Sequence, residues 1–375
     1  MRYTGFRYIL SVFIFVMLLQ FSCANAKQLL EDWQLLTSST VKQGRYNHEA
    51  IAMNGYVYII DGMYDMYLYR KTIERAKILP DGTLGQWTTV SVCSEDRYFF
   101  SAVTVGKWLY LIGGENTGVD ANFRYSNVER AEIYPVQGTF SQWTIIRTLP
   151  FYIYKHAAVS YGKYIYLLGG FVWLGDNDGS VIAYNSNSVF RAEISPDGSI
   201  SEFTAETAAT QVVHEAGSAI LYGDSIYLIC GYANYETTVE RARILPDGHL
   251  SAWTVLNHTQ YPHFDSRCAI AQDTYLFMVA GGVTPVEYAT VDPAGNLSAW
   301  QTANTTPIRP YGSTAVLAYP YIYLPAGWNS SAGNFLTDAL YTRFMPTKIQ
   351  PGQWEWYSKR NSEELRVKSE EETKR

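Results

Sequence analysis

The chain has 375 residues and a formal net charge of −6, with 15% aromatic and only 17% charged residues. This composition excludes a disordered or coiled-coil chain and favours an all-β protein with a large buried interior. Lysine and arginine are scattered through a mildly acidic sequence, so we expect no nucleic-acid partner.

The N-terminus has the features of an export signal. Arginines precede an apolar run over residues 9–21, and a small-x-small site ends at Ala26. We therefore predict a signal peptide over residues 1–26, export (periplasmic or secreted), and no transmembrane span after cleavage. Lipid anchoring through Cys23 is the alternative, although Gln20 stands where a lipoprotein signal usually has leucine.

The first repeat, over residues 33–87, is predicted to form four strands. An Asn-Gly pair between two apolar runs indicates a hairpin, and a Pro-Asp-Gly turn joins the third and fourth strands. The predicted strands are Arg45–Met53, Tyr56–Ile60, Ile73–Leu79 and Leu84–Val90.

Five further copies follow, at about 88–143, 144–203, 204–253, 254–300 and 301–354. Each second strand is apolar at nearly every position, so we expect it to be buried on both faces. A four-stranded sheet cannot bury both faces alone, so we expect the sheets to stack radially and close into a ring. The Glu-Arg pairs of the third strands recur from copy to copy, which favours a structural role.

A tryptophan recurs at a fixed position of the repeat. We predict that it fills the wedge between neighbouring sheets. The positions are Trp33, Trp87, Trp143, Trp253, Trp300 and Trp354, with Phe203 in one copy.

The repeat resembles the kelch repeat: an apolar strand, Gly-Gly, a loop, a Val-Glu-Arg-Ala strand, a turn and a tryptophan. Residues 113–114, 169–170 and 281–282 match the double glycine, whereas Asp61-Gly62, Cys230-Gly231 and Ala326-Gly327 depart from it. The resemblance covers nearly all of the chain after the signal and implies an all-β, six-bladed kelch-type β-propeller, with four antiparallel strands per blade.

The propeller is expected over residues 27–354, followed by a charged, flexible tail over residues 355–375. A terminal strand is expected to close the ring. Trp33 and Trp354 both mark a candidate for this strand, and we favour the one at Trp33.

In this topology the loops that enter the inner strands and those that follow the glycine pairs emerge on one face. Counting sixteen residues back from each first glycine position aligns the entries and places Asp265 in the fifth copy. The residues predicted to bind a ligand are Arg45, Tyr46, Arg97, Tyr98, Tyr154, Arg267, Arg309, Tyr311, Trp173 and Trp328. Such side chains suit a carboxylate, a hydroxyl-rich ligand or a sugar-stacking surface. The kelch resemblance implies an alternative for Arg45 and Arg97, as structural ligands of loop carbonyls.

No catalytic group is assigned from the sequence. The weak candidates are Glu49, Glu215, His48, His156 and His214. The histidines are scattered and no cysteine lies in a C-x-x-C pair, so we expect no metal and no cofactor. Three cysteines remain after the signal, Cys93, Cys230 and Cys268; we predict buried free thiols, with a Cys230–Cys268 bridge as the alternative.

The leading functional hypothesis is an exported, monomeric kelch-like propeller that binds a protein or a glycan through its loop face. The alternative is a carbohydrate-modifying enzyme, since six-bladed kelch proteins include an exported sialic acid mutarotase. In that isomerase, arginines would hold the sugar carboxylate and a glutamate or histidine would move the proton. Such an enzyme needs an acid or base within about 3 Å of a reacting atom.

Overall fold

A computed structural model describes residues 29–65, 68–69, 71–116, 123–175, 181–232, 236–264 and 267–345. The predicted signal peptide with Cys23, Asp265, Trp354 and the predicted tail lie outside the described residues. The described part of the chain contains strands and turns and no helix, and therefore no helix that is long and apolar enough to cross a membrane.

The strands of the first two repeats are β1 (Gln34–Leu36), β2 (Glu49–Met53), β3 (Tyr56–Ile60), β4 (Met63–Asp65), β5 (Leu68–Tyr69), β6 (Thr72–Lys77), β7 (Thr88–Val92), β8 (Ser101–Val105), β9 (Trp108–Ile112), β10 (Glu115–Asn116), β11 (Phe123–Arg124), β12 (Asn127–Tyr134), β13 (Thr139–Phe140) and β14 (Thr144–Thr148). Those of the next two are β15 (Tyr152–Tyr154), β16 (Ala157–Tyr161), β17 (Tyr164–Leu168), β18 (Phe171–Gly175), β19 (Val181–Asn185), β20 (Val189–Glu193), β21 (Thr204–Ala205), β22 (Ser218–Tyr222), β23 (Ser225–Gly231), β24 (Glu236–Arg243) and β25 (Thr254–Val255). The remainder are β26 (Ala269–Gln272), β27 (Tyr275–Met278), β28 (Pro285–Thr290), β29 (Gln301–Thr305), β30 (Pro310–Tyr311), β31 (Val316–Ala318), β32 (Tyr321–Asn329) and β33 (Asn334–Arg343).

Contacts divide the chain into two units. In the first, Leu30 forms an antiparallel bridge with Phe344, and the amide of Met345 donates to the carbonyl of Leu29 at 2.8 Å. The second unit, Asp32–Arg343, contains the antiparallel sheets of the repeats.

Each repeat forms one antiparallel sheet, which we call a blade. Blades 1 to 5 are β2-β3-β6-β7, β8-β9-β12-β14, β16-β17-β20-β21, β22-β23-β24-β25 and β26-β27-β28-β29. Blade 6 is β31-β32-β33-β1, so its outer strand comes from the N-terminal side, directly after Trp33. This confirms the all-β propeller and the favoured choice of closing strand.

In every blade but blade 5, which has Phe277 at this position, a tyrosine of the second strand donates its hydroxyl to the turn of the next blade. Tyr58 of blade 1 donates its hydroxyl to the carbonyl of Gly138 in the turn of blade 2, at 3.1 Å. The same bond recurs around the ring, and Tyr323 of blade 6 donates to Gly82 of blade 1 at 2.7 Å. Blade 6 therefore lies against blade 1, and the ring is closed without a covalent link.

The outer strands lie later in the chain than the sequence predicted. In blade 1 the outer strand is β7, directly after Trp87, rather than Leu84–Val90. The preceding residues stay near the third strand through two contacts. Leu84 forms an isolated bridge with Ile78, and the amide of Gly85 donates to the carbonyl of Lys77 at 2.8 Å. Regular pairing begins only after the indole has turned into the wedge between blades.

The recurring aromatic residues fill those wedges. Trp253 is 5% exposed, packs with residues of blades 3 and 4, and donates its indole N–H to the carbonyl of Ala208 at 3.0 Å. Phe203 takes the position in blade 3 and is equally enclosed. The predicted structural role of this position is therefore seen in the packing.

Replacing Trp253 with alanine removes the side chain that fills one wedge. We expect Trp253→Ala to lower the free energy of unfolding by about 3–5 kcal/mol, because a large buried aromatic leaves a cavity. Denaturant unfolding measures the change. The control is Val136→Ala, at a side chain that is 93% exposed, where a change within about 0.5 kcal/mol is expected. A near-neutral Trp253→Ala would contradict the wedge role.

Candidate functional site

Four blades hold a buried basic side chain between the end of the second strand and the third strand. In blade 1, Nη1 of Arg45 donates to the carbonyl of Asp61 at 3.2 Å, and Nη2 forms an ion pair with Glu74. In blade 2, Arg97 pairs with Glu129 at 2.9 Å. Both arginines are fully buried, so their guanidinium groups hold the blade together and present no surface to a ligand.

Blades 4 and 5 carry histidine in the same place. Nε2 of His214 lies 2.9 Å from Glu240, and Nε2 of His263 lies 2.9 Å from Glu287. Nδ1 of His214 contacts the carbonyl of Cys230 near the end of β23, and Nδ1 of His263 contacts that of Ala280 just after β27, at the positions that the arginines contact in blades 1 and 2. The alignment at Asp265 was therefore wrong for blade 5. Ala280-Gly281, not the double glycine, occupies the position of Asp61-Gly62, and His263 lies 17 rather than 16 residues before Ala280. The sequence analysis missed His263. The Glu-Tyr-Ala stretch of the third strand, which contains its partner Glu287, is the signal that could have identified it.

The glutamates also hold the segment that enters each inner strand. Their carboxylates accept backbone amides from that segment, in the pairs Lys42–Glu74 (3.1 Å), Ser94–Glu129 (2.9 Å), Gln211–Glu240 (2.6 Å) and Gln260–Glu287 (2.8 Å). We call the basic residue, the glutamate and the bound backbone the blade clamp. Each clamp fixes where the chain arrives at the centre of the ring.

Blade 3 replaces both charged members of the clamp together. Ile153 stands at the arginine position and Phe190 at the glutamate position, within one apolar cluster. Losing both charges at once leaves no buried ion without a partner, which would be costly. The paired change supports a structural role for the clamp.

Beyond the clamps, the chain turns into the inner strands through residues with left-handed backbone. Their φ values lie between 52° and 60° for Asn47, Phe99, Lys155, Ala216 and Gly312. Backbone bonds join them around the centre: Phe99 to Asn47 (3.2 Å), Lys155 to Phe99 (2.8 Å), Ala216 to Lys155 (2.8 Å) and Asn47 to Gly312 (2.6 Å). This hydrogen-bonded arc, which we call the mouth ring, lies at the entrance to the central channel.

A cavity opens inside the mouth ring. Its empty volume is about 310 Å³, part of which is open to solvent. The lining residues are Asn47, His48, Phe99, Lys155, His156, Ala216, Gly217, Arg267, Gly312, Ser313 and Thr314. Three of the sequence-predicted residues, His48, His156 and Arg267, therefore meet at one place.

The charged groups at the cavity are neutralised in pairs. Arg267 forms an ion pair with Glu49 and donates from Nη2 to the carbonyl of His156 at 2.9 Å. Burial lowers the pKa of Arg267 to about 9, so it remains charged at neutral pH. Lys155 pairs with Glu215 at 2.7 Å.

The two channel histidines are neutral. Burial lowers the pKa of His48 from 6.5 to about 3, assisted by the nearby Arg45 guanidinium. Burial alone lowers the pKa of His156 to about 3. Neither ring carries a charge at neutral pH.

Aromatic side chains form a rim outside the mouth ring. Tyr46 packs against Trp328 and Phe335, with ring centroids 6.4 and 5.5 Å apart. Phe264 joins Tyr232 at 5.5 Å and Tyr311 at 5.9 Å.

The rim continues across blades 2 and 3. Tyr154 packs on Phe171 at 5.1 Å, Tyr98 on Phe99 at 5.0 Å, and Trp173 lies on β18. The sequence-predicted aromatics thus lie on the loop face, with Tyr98 largely buried there.

Arg309 is the exposed arginine of the predicted set, and its Nε contacts the carbonyl of Gly282. Sequence reasoning missed Asn47 and Lys155, which directly precede the predicted His48 and His156. Asparagine is the one residue type of the two that favours a left-handed backbone, and lysine gives no such indication. Only the structure therefore identifies both as mouth-ring residues.

The cysteines are accounted for. Cys93, Cys230 and Cys268 are free and buried, as predicted, and the alternative Cys230–Cys268 bridge is not formed. Burial raises the pKa of the Cys93 thiol well above its ordinary value, which makes it a poor nucleophile. Among the described residues no group of three or more His, Cys, Asp or Glu could hold a metal ion.

Comparisons with known proteins support a repeat propeller. No protein-family model matches the chain. Kelch-like protein 36 of Mus musculus is 23% identical over 216 residues, which are 57% of this chain and 31% of the mouse protein. The solved structure of YjhT aligns with a TM-score of 0.61 and 13% identity, over 80% of this chain and 95% of that one. At this identity the structural likeness shows the fold alone.

The first prediction for the site concerns the blade clamp. Arg97→Ala leaves Glu129 buried without its cation, so we expect a loss of about 3–5 kcal/mol in the free energy of unfolding. Arg97→Ile with Glu129→Phe, which copies the pair in blade 3, is expected to be less destabilised than the single variant. Chemical denaturation compares them. A near-neutral Arg97→Ala would return Arg97 to the ligand candidates.

The second prediction concerns acid stability. The unfolded chain takes up protons near pH 6.5, whereas folded His48 and His156 do so only near pH 3. Stability is therefore full above pH 6.5 and falls as the pH decreases toward 3, by about 2 kcal/mol per histidine at pH 5.

Denaturant unfolding at pH 7.5 and pH 5 measures this difference. The control is the double variant His48→Gln, His156→Gln, which should lose less stability between the two pH values than the wild type. Equal losses would show that these histidines are not neutral in the folded protein.

Proposed function

We propose that the chain, which is a kelch-repeat β-propeller, is a binding module whose ligand, a protein or a glycan, docks on the loop face around the channel mouth. The observation that carries this proposal is the aromatic rim around a small polar cavity. Aromatic rings offer broad contact area at a low cost in side-chain entropy, and sugars or protein segments both use such faces.

The chemistry at the mouth favours binding over the alternative of a mutarotase-like isomerase. Glu49 and Glu215 are buried and ion-paired, and His214 belongs to a blade clamp. His48 and His156, with pKa values of about 3, are poor proton acceptors at neutral pH. The carboxylate-binding arginines which that alternative needs are also occupied, since Arg45 and Arg97 are enclosed and Arg267 pairs with Glu49.

Export and the monomeric state are parts of the proposal that rest on the sequence. The export signal is the apolar run and small-x-small site of residues 1–26. An exported binder would meet extracellular or periplasmic glycans and proteins, which agrees with a ligand face built from aromatic and neutral polar groups.

The proposal is tested by a binding screen with variants on opposite faces. The purified protein is screened by thermal shift against sugars and glycans; a ligand at a hundred times its Kd adds about 2.7 kcal/mol of stability. We expect Tyr232→Ala and Arg309→Ala to weaken binding about tenfold without lowering the thermal midpoint. The control is Tyr161→Ala, in the β16–β17 hairpin on the opposite face, which is 38% exposed against 42% for Tyr232.

Binding lost with Tyr161→Ala and kept in the loop-face variants would contradict the proposal. If no glycan binds, the same three variants are compared in cross-linked pull-downs of protein partners. NMR of N-acetylneuraminic acid anomers measures catalysis, and faster anomer exchange with the wild type would favour the isomerase.

A further inference from the structure

The loop face is uneven, because the connections between second and third strands differ in length from blade to blade. Across these connections, Met278 pairs with Glu287 in blade 5 and Leu228 with Glu240 in blade 4, so few residues lie between them. The connection of blade 3 instead contains the paired strands β18 and β19, and in blade 6 the hairpin of β32 and β33 continues onto this face. Because a short connection cannot project as far as a paired hairpin, blades 4 and 5 form a low area between the hairpins of blades 3 and 6.

Aromatic rings surround a glycine in this low area. A Cβ atom on Gly282 would lie 3.3 Å from Cζ of Phe264 and 3.4 Å from Cδ2 of Tyr311. The ring planes of Tyr232 and Tyr311 are inclined by 68° and 81° to that of Phe264. We call these four residues the blade-5 notch. Rings inclined in this way leave a cleft that suits one apolar side chain, whereas a sugar stacks on a single flat ring face.

An arginine beside the notch keeps its charge available. The Nε group of Arg309 contacts the carbonyl of Gly282, which fixes the guanidinium plane at the notch. The side chain is exposed, and no carboxylate of the described residues forms an ion pair with it, whereas Lys155 and Arg267 at the mouth are both ion-paired. A guanidinium held through Nε retains its two Nη groups, whose fork geometry matches a carboxylate. The low area therefore combines an apolar notch with a cation.

The space on this face limits the size of an enclosed ligand. The mouth cavity has room for a single water molecule, about 20 Å³. Small-molecule ligands instead bury most of their surface in clefts of about 300–1,000 Å³. A ligand that docks here therefore binds by broad surface contact, which is how a protein partner binds.

We propose that a protein segment docks on the low area, with an aliphatic or aromatic side chain in the blade-5 notch and an aspartate or glutamate at Arg309. This inference rests on the proposed binding function and selects a protein over a glycan. Charge complementarity favours this partner, since a carboxylate completes the hydrogen bonding of Arg309 and a neutral glycan leaves the charge unpaired. Tyr232, which is 42% exposed, adds contact area of the kind that dominates protein interfaces.

The test uses peptides as probes. Random linear peptides displayed on phage are selected on the purified protein, and a selected peptide is synthesised for titration. We expect the enriched sequences to share an aspartate or glutamate near an apolar residue. We also expect the Kd of the synthetic peptide to rise with salt concentration, because an ion pair at an exposed arginine is screened.

Matched changes on both partners locate the contact. Arg309→Gln removes the charge and keeps an amide donor for the carbonyl of Gly282, so we expect it to weaken peptide binding about tenfold without lowering the thermal midpoint. Replacing the peptide's acidic residue with its amide should weaken binding equally, and the two changes together should add little. Tyr232→Ala should also weaken binding about tenfold, whereas Tyr161→Ala on the opposite face should bind as the wild type does.

Four outcomes would overturn the inference. Enriched peptides without an acidic residue, or binding that Arg309→Gln leaves unchanged, would refute the ion pair; the loop-face function stands if Tyr232→Ala still weakens that binding. Selection that enriches no peptide would refute the protein segment, and a glycan that binds through Tyr232 would then keep the loop-face function. Peptide binding that Tyr161→Ala alone removes would refute both proposals.

Discussion

The buried carboxylate of the third strand organises each blade that has one. Glu129 is fully enclosed, and it pairs with Arg97 while accepting the amide of Ser94. A buried charge needs partners because water cannot reach it, so the glutamate fixes both the arginine and the incoming backbone. The same constraint, with His214 or His263 as the cation, holds blades 4 and 5. Where the carboxylate is missing, in blade 3, its cation is missing too.

This constraint shapes the functional face indirectly. Arg45 and Arg97 are the arginines that the sequence favoured for an acidic ligand. Because they are buried in ion pairs within the clamps, they do not reach the mouth. The clamps fix the position in which the chain reaches the mouth ring, where Asn47 follows Arg45 and Phe99 follows Arg97, both with left-handed backbone. The chemistry that reaches the channel then comes from neutral histidines and an amide, and the remaining cations are paired locally. A ring of repeats thus produces one polar cavity at its symmetry axis, where residues from several blades meet.

Sequence periodicity predicted the architecture well because it reports on burial. The apolar second strands, the Asn-Gly hairpin and the recurring tryptophans that the structure describes occupy the predicted places, and the strand after Trp33 closes the ring. The predicted outer strands begin too early for a local reason. The tryptophan side chain must first turn into the wedge between blades, and regular strand pairing begins only after it. The alignment error at blade 5 has two causes: the double glycine of that repeat stands one residue beyond the usual position, and His263 lies 17 rather than 16 residues before Ala280.

The sequence by itself determined the repeat, the strand order and the residues of the wedges, because these depend on hydrophobic spacing along the chain. It also brought His48, His156 and Arg267 into the candidate set. Only the tertiary structure decided which polar residues line the channel mouth. In the sequence, an arginine that is enclosed by a glutamate 29 residues later cannot be distinguished from an arginine that is open to solvent. That distinction depends on contacts between distant segments, which spacing along one chain does not encode.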